Sequence, residues 1–147
     1  MTSIHFSVDG IPKGQPRPRA WARKLPNGKA IARMYDAGTA EAWKSDVVRA
    51  ADVVKPAAPL TGPLRVVLDF YLPRPKRLVA KRFPDRPILH TGKPDADNLA
   101  KAVLDALTTS GWWEDDAQVA VLGVTKEYHD KHGRPGMDAH VYQEEGA

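Results

Sequence analysis

Lys93-Pro94-Asp95-Ala96-Asp97-Asn98-Leu99-Ala100-Lys101 is where an extended segment turns into a helix. Pro94 biases Lys93 away from helical dihedrals, so the boundary falls here. Asp95 or Asp97 opens the helix, which runs to about residue 109. Leu99, Ala102, Val103, Ala106 and Leu107 keep helical spacing and form its inward face. Gly111 stands where a helix takes its left-handed terminal residue. Beyond it, residues 118–128 read as a strand and residues 137–143 as the last one. Upstream, residues 64–72 are rich in Val, Leu, Phe and Tyr and read as a central strand. Residues 39–54 read as a first helix, capped by Thr39 and stopped by Pro56, with Ala40, Trp43, Val47 and Ala50 or Ala51 inward. Residues 3–9 place Ile4, Phe6 and Val8 on one face of a half-buried strand. Asn27-Gly28 is a turn signal, and residues 30–35 follow it as a short strand. This order predicts one α+β domain over residues 1–143, with a mixed sheet and two main helices. Residues 144–147 are expected to form a frayed tail.

A chain of 147 residues can bury a core without staples. It contains no cysteine, which excludes disulfides, thiolate zinc sites and a cysteine nucleophile. No apolar run approaches the ~20 residues of a membrane span, and the alternation in residues 1–10 is not that of a signal peptide. A cytoplasmic location is therefore expected, with no membrane partner.

The net charge is only +4, but fourteen of the twenty-two basic residues fall in two segments. Lys13, Arg17, Arg19, Arg23, Lys24, Lys29 and Arg33 lie in residues 10–35 with no acid among them. Arg74, Lys76, Arg77, Lys81, Arg82, Arg86 and Lys93 lie in residues 73–93 against Asp85 alone. Four prolines in each segment argue for loops rather than long helices or central strands. Two long basic loops suit a clamp on a phosphate backbone. Contact is expected at Lys13, Arg17, Arg19, Arg23, Lys24, Arg74, Lys76 and Lys93.

Directly after the second segment comes an acidic group. An extended Asp95-x-Asp97 projects two carboxylates to one side. Lys101 follows one helical turn after Asp97, and Asp115-Asp116 sits on the turn into the next strand. Carboxylates are hard donors suited to Mg²⁺, which keeps several waters and a substrate phosphate among its ligands. Such an ion activates water and stabilises phosphoryl charge, and a nearby lysine adds positive charge at the phosphate or leaving group. The same residues also have bland uses. Asp caps helices, Asp-Asp pairs occupy turns, and Asp97–Lys101 could be a surface ion pair. Spacing alone leaves both open.

At Lys93-Pro94-Asp95-Ala96-Asp97-Asn98-Leu99-Ala100-Lys101, Asp105-Ala106-Leu107, Trp113 and Asp115-Asp116-Ala117-Gln118-Val119 the chain resembles the RusA family of Holliday junction resolvases. The opening Gly10-Ile11-Pro12-Lys13-Gly14-Gln15-Pro16-Arg17-Pro18-Arg19 is similar to the basic loop of its phage-type members. The resemblance implies a small α/β homodimer that nicks four-way DNA junctions in symmetric pairs with Mg²⁺ and no small organic cofactor. It implies Asp95, Asp97 and Asp116 as metal-binding acids and Lys101 as the catalytic lysine. Asp115 would support the site, and Asn98 would orient Asp97 or cap the helix. The best-known members carry an arginine run before the first Asp, where this chain has Thr91-Gly92-Lys93-Pro94.

His129 and His132 read as residues of a turn between strands. His90 reads as a loop histidine, with phosphate contact as the alternative. Trp21 anchors its loop or stacks on an unpaired base. At least one of Trp112 and Trp113 should be core. Two other functions compete: a DNA-binding protein without catalysis, and a phosphohydrolase using Asp-x-Asp as nucleophile. The second normally needs a buried apolar strand before the pair, and Leu89-His90-Thr91-Gly92-Lys93-Pro94 is not one.

Overall fold

Leu64–Leu72 (β4) buries Leu64, Val66, Leu68, Phe70 and Leu72 while its alternate residues face the other way. Each such apolar side chain contributes on the order of 1.5–3 kcal/mol when fully buried. In this computed structural model, which describes residues 2–16, 19–35 and 40–146 (the side chains of 19–21, 23 and 31–35 excepted), β4 is the middle strand. It pairs antiparallel with Gly136–Gln143 (β7) and parallel with Val119–Tyr128 (β6). Ser3–Asp9 (β1) pairs antiparallel with β7. Two residues, Ile88–Leu89 (β5), pair with the end of β6. The sheet order is β1-β7-β4-β6-β5. This is the expected mixed sheet.

A parallel β4–β6 pair needs a crossover connection. The chain makes it through the second basic segment and the helix Ala96–Thr109 (α2). That helix lies beside Glu41–Asp52 (α1) over the apolar face of the sheet. Trp43, Val47 and Ala51 of α1 and Leu99, Ala102, Val103, Ala106 and Leu107 of α2 are all buried. The backbone starts α1 at Ala40, with no side-chain cap. Thr39, the expected cap, lies outside the described residues.

The end of α2 is closed as the sequence suggested. Gly111 has φ +88. Its N–H donates to the Thr108 carbonyl at 3.1 Å, and Trp112 N–H donates to Leu107 at 3.1 Å. This paired pattern satisfies carbonyls that a helix end leaves open. It turns both Trp112 and Trp113 into the core. Trp113 Nε1 donates to Thr108 Oγ1 at 2.7 Å.

The first basic segment is more ordered than a loop. Arg19–Lys24 (β2) and Ala30–Tyr35 (β3) form a separate two-stranded antiparallel sheet. β3 and the Asn27-Gly28 turn match expectation, but β2 does not. The prolines explain it, because Pro18 and Pro26 flank β2 rather than interrupt it. Glu144 also departs from the expected frayed tail. Its N–H donates to Pro63 at 2.9 Å and its carboxylate accepts from Arg65 Nε at 2.7 Å. Among the described residues no helix is long and apolar enough to cross a membrane.

Candidate active site

Asp95 is the N-cap of α2, with φ -72 and ψ 148. Asp97 sits in the first turn and Lys101 one turn further along. Asp116 comes from a different element, a 3₁₀ turn Asp116–Gln118 that leads into β6. Because β6 lies beside β4 and α2 crosses over that side, the two elements meet. Asp97, Ala100, Lys101, Asp116, Leu122 and Val124 line one cleft of ≈ 440 Å³.

The Asp116 turn is fastened from its far side. Asp115 accepts from Ala117 N–H at 2.8 Å. Gln118 Oε1 accepts from the N–H groups of Glu114 and Asp115 at 3.1 and 3.2 Å. Gln118 Nε2 donates to the carbonyls of Leu60 and Gly62, both at 3.1 Å. Asp115 is thus a cap in its own right and holds its neighbour in place. Gln118 was missed by sequence reading as a positioning residue. Its spacing three residues after Asp115 is the signal that marks a capping box.

The three expected metal acids, Asp95, Asp97 and Asp116, come from the start of α2 and the turn before β6. Among the described residues no group of three or more His, Cys, Asp or Glu side chains stands close enough to hold an ion. Asp97 and Asp116 share the cleft. Asp95 instead accepts from Lys93 Nζ at 2.9 and 3.0 Å. Electrostatics favours this, since carboxylates with no cation between them repel. Asp97 accepts from Asn98 N–H at 2.9 Å, and Lys101 Nζ lies 3.3 Å from Asp105 rather than on Asp97. The donor chemistry still fits a hard divalent ion, because two carboxylates in an open cleft leave room for water ligands.

The basic residues divide. Lys13, Lys24, Lys76 and Lys93 are exposed. Arg17 and the side chains of Arg19, Trp21 and Arg23 lie outside the described residues. Arg74 corrects the expectation of DNA contact, for it is buried with only 8% exposure. Its guanidinium donates to the carbonyls of Leu78 (2.9 and 2.7 Å), Pro84 (2.8 Å), Arg86 (2.9 Å) and His129 (3.4 Å). A loop rich in proline lacks N–H donors for its own carbonyls, and a buried arginine supplies five.

His129 completes the arrangement. Its Nε2 accepts from Arg74 N–H at 3.2 Å, and its Nδ1 donates to the Asp130 carbonyl at 2.6 Å. It is a turn residue, as read. His132 is also in that turn, 3.9 Å from Asp85. His90 is half-buried, edge-on to Tyr128 with ring centroids 4.8 Å apart. Burial first, and the positive charge of Lys126 second, hold its pKa below 6.5. Lys126, also missed, donates to the carbonyls of Gly92 (2.8 Å) and Pro94 (2.9 Å) and ties the acidic motif to β6. A lysine on the helix-facing side of a strand was the available signal.

Residues 9–136 match the protein family described as endodeoxyribonuclease RusA. The uncharacterized protein YqaN of Bacillus subtilis (strain 168) is 35% identical over 136 residues, 89% of this chain and 92% of that protein. The crossover junction endodeoxyribonuclease RusA of Escherichia coli (strain K12) is 42% identical over 69 residues, 46% of this chain and 53% of that protein. The protein of the same name from Enterobacteria phage 82 matches at the same identity and coverage. The chain therefore aligns with about half the length of these RusA relatives, while the family match runs nearly end to end. With Asp97, Lys101 and Asp116 brought to one cleft, these findings place the chain in the endodeoxyribonuclease RusA family.

Proposed function

We propose that the protein resolves four-way DNA junctions by paired, symmetric phosphodiester hydrolysis, as a homodimer that requires Mg²⁺. The observation that carries this reading is the shared cleft of Asp97, Lys101 and Asp116. Asp97 and Asp116 would hold the ion, and Asp95 would join them by exchanging its bond to Lys93. Mg²⁺ bound there supplies an activated water and neutralises charge on the scissile phosphate. Lys101 offers positive charge to the phosphate or the leaving oxygen, with Asp105 orienting its ammonium. Lys13, Arg17, Arg19, Arg23, Lys24, Lys76 and Lys93 grip the backbone of the arms, and Arg74 shapes the loop that carries Lys76. The nuclease unit spans residues 1–143 and works where cellular DNA is, in the cytoplasm. Two nicks across a two-fold junction are most simply made by two symmetry-related sites.

A second reading has its own support. The Lys93–Asp95 and Lys101–Asp105 ion pairs are also what a DNA-binding protein without catalysis would show. One experiment separates them. A synthetic four-way junction and a linear duplex are incubated with Mg²⁺ or with EDTA, using the wild type and Asp97→Asn. Paired nicks on the junction only, dependent on Mg²⁺ and reduced roughly a hundredfold or more by the substitution, support resolution; loss of a group that orients a metal is felt on this scale. Binding without cutting under any divalent ion would support the second reading. Sedimentation under cleavage conditions tests the dimer, and a monomer that cuts would overturn it.

A further inference from the structure

A second cleft, of ≈ 480 Å³, lies between the two basic segments. Pro12, Lys13 and Gly14 line one side of it, and Pro73, His90 and Lys93 the other. We propose that it receives one nucleotide unstacked from the DNA beside the cut, with the phosphate toward Lys13 and Lys93 and the base between the prolines and His90. This rests on the nuclease reading and names the part of the substrate that the protein grips.

The cleft has the size and the mostly apolar walls of a small-ligand site. Its two ammonium groups complement a phosphate. His90, in its wall, has a buried Nδ1 with no hydrogen-bond partner among the described residues. Such a group is rare, and a small turn of the ring would offer it to a base seated in the cleft.

The cleft is also fastened to the acidic motif. Gln15 N–H donates to the Asn98 carbonyl at 2.8 Å. Gly14 approaches so closely that a Cβ there would stand 3.0 Å from Asn98 Cβ. Lys93, on the rim, is the residue that holds Asp95. A nucleotide seated here would draw on Lys93 at the same time as it lies next to the α2 terminus. Enzymes that work on nucleic acid lower the cost of unstacking by choosing nucleotides already unpaired, and the exchange point of a junction offers them.

The test uses the full chain carrying Asp97→Asn and four-way junctions with 2-aminopurine at single successive positions around the exchange point. A several-fold rise in fluorescence at one position near the cut, against the free junction, is expected. Ile11→Trp fills the cleft from a rim position that is 50% exposed, so the fold is spared. It should abolish the rise, and His90→Ala should reduce it. No rise at any position, or a rise that survives both substitutions, overturns the proposal. Wild-type cutting with a flat signal removes the cleft and keeps the nuclease. Failure to bind the junction at all removes both.

Discussion

The two basic segments carry seven cations and four prolines each, yet they are built by different means. Residues 10–35 are organised by backbone pairing. The chain docks on α2 through Gln15, then closes the β2–β3 hairpin over the Leu25–Lys29 turn. Residues 73–93 have no such ladder beyond the two residues of β5. Their carbonyls converge on one buried guanidinium. The difference follows from where the prolines fall. In the first segment they leave two clear six-residue runs for the strands. In the second they interrupt the loop, and a side chain must replace the missing N–H donors. An equal count of cations therefore does not mean equal use, since one arginine of the second segment is withdrawn from solvent.

The largest effect should come from removing that arginine. Arg74→Met leaves four carbonyl groups without their donor and should cost about 2–4 kcal/mol, read by urea denaturation. Arg74→Lys should recover little, because one ammonium cannot span the same set. Replacing the hairpin tip, Leu25 to Lys29, by a Gly-Ser turn should stay within about 0.5 kcal/mol. If the tip replacement costs more than Arg74→Met, the comparison is broken.

A smaller effect is expected where the second segment is tied to β6. Lys126→Met removes two charge-assisted bonds, to Gly92 and Pro94. A loss of about 1–2 kcal/mol is expected, together with an upward move of the His90 pKa measured by NMR. An unchanged His90 titration would show that Lys126 does not act on the ring.

The next prediction concerns charge that stays in solvent. On a four-way junction, Lys24→Ala and Lys76→Ala should each lower the slope of log K against log salt by about one. Each should leave stability within about 0.5 kcal/mol. A slope that falls for one segment only would show that a single loop meets DNA.

What the sequence could show follows the same division. β4 was legible because Leu64, Val66, Leu68, Phe70 and Leu72 report a buried face locally. The end of α2 was legible because Gly111 is required by a positive φ. β2 was not, since Arg-Ala-Trp-Ala-Arg-Lys shows no apolar alternation in the sequence and its pairing is with β3, outside the main sheet. Arg74 was not, because the carbonyls that need it lie 4 to 55 residues away. At the site, residue types and spacing pointed to Asp97, Lys101 and Asp116, which share a cleft. Asp95 is extended at the helix start, as strand alternation suggested, while its pairing with Lys93 depends on local charge that spacing does not show.

The smallest effect tests the place where the segments meet. His90 is held below its ordinary pKa of 6.5 by burial first and by Lys126 second. The unfolded chain therefore takes up a proton before the folded one does. Stability from this residue is fully present above about pH 6.5 and is lost as the pH falls through the depressed folded value. His90→Gln removes the titration. The difference in unfolding free energy between wild type and His90→Gln should thus shrink from about pH 8 to about pH 5. Lys126→Met should weaken this dependence, since it removes the second cause. A difference that stays flat would mean that the ring is solvated, and that the two basic segments do not close around it.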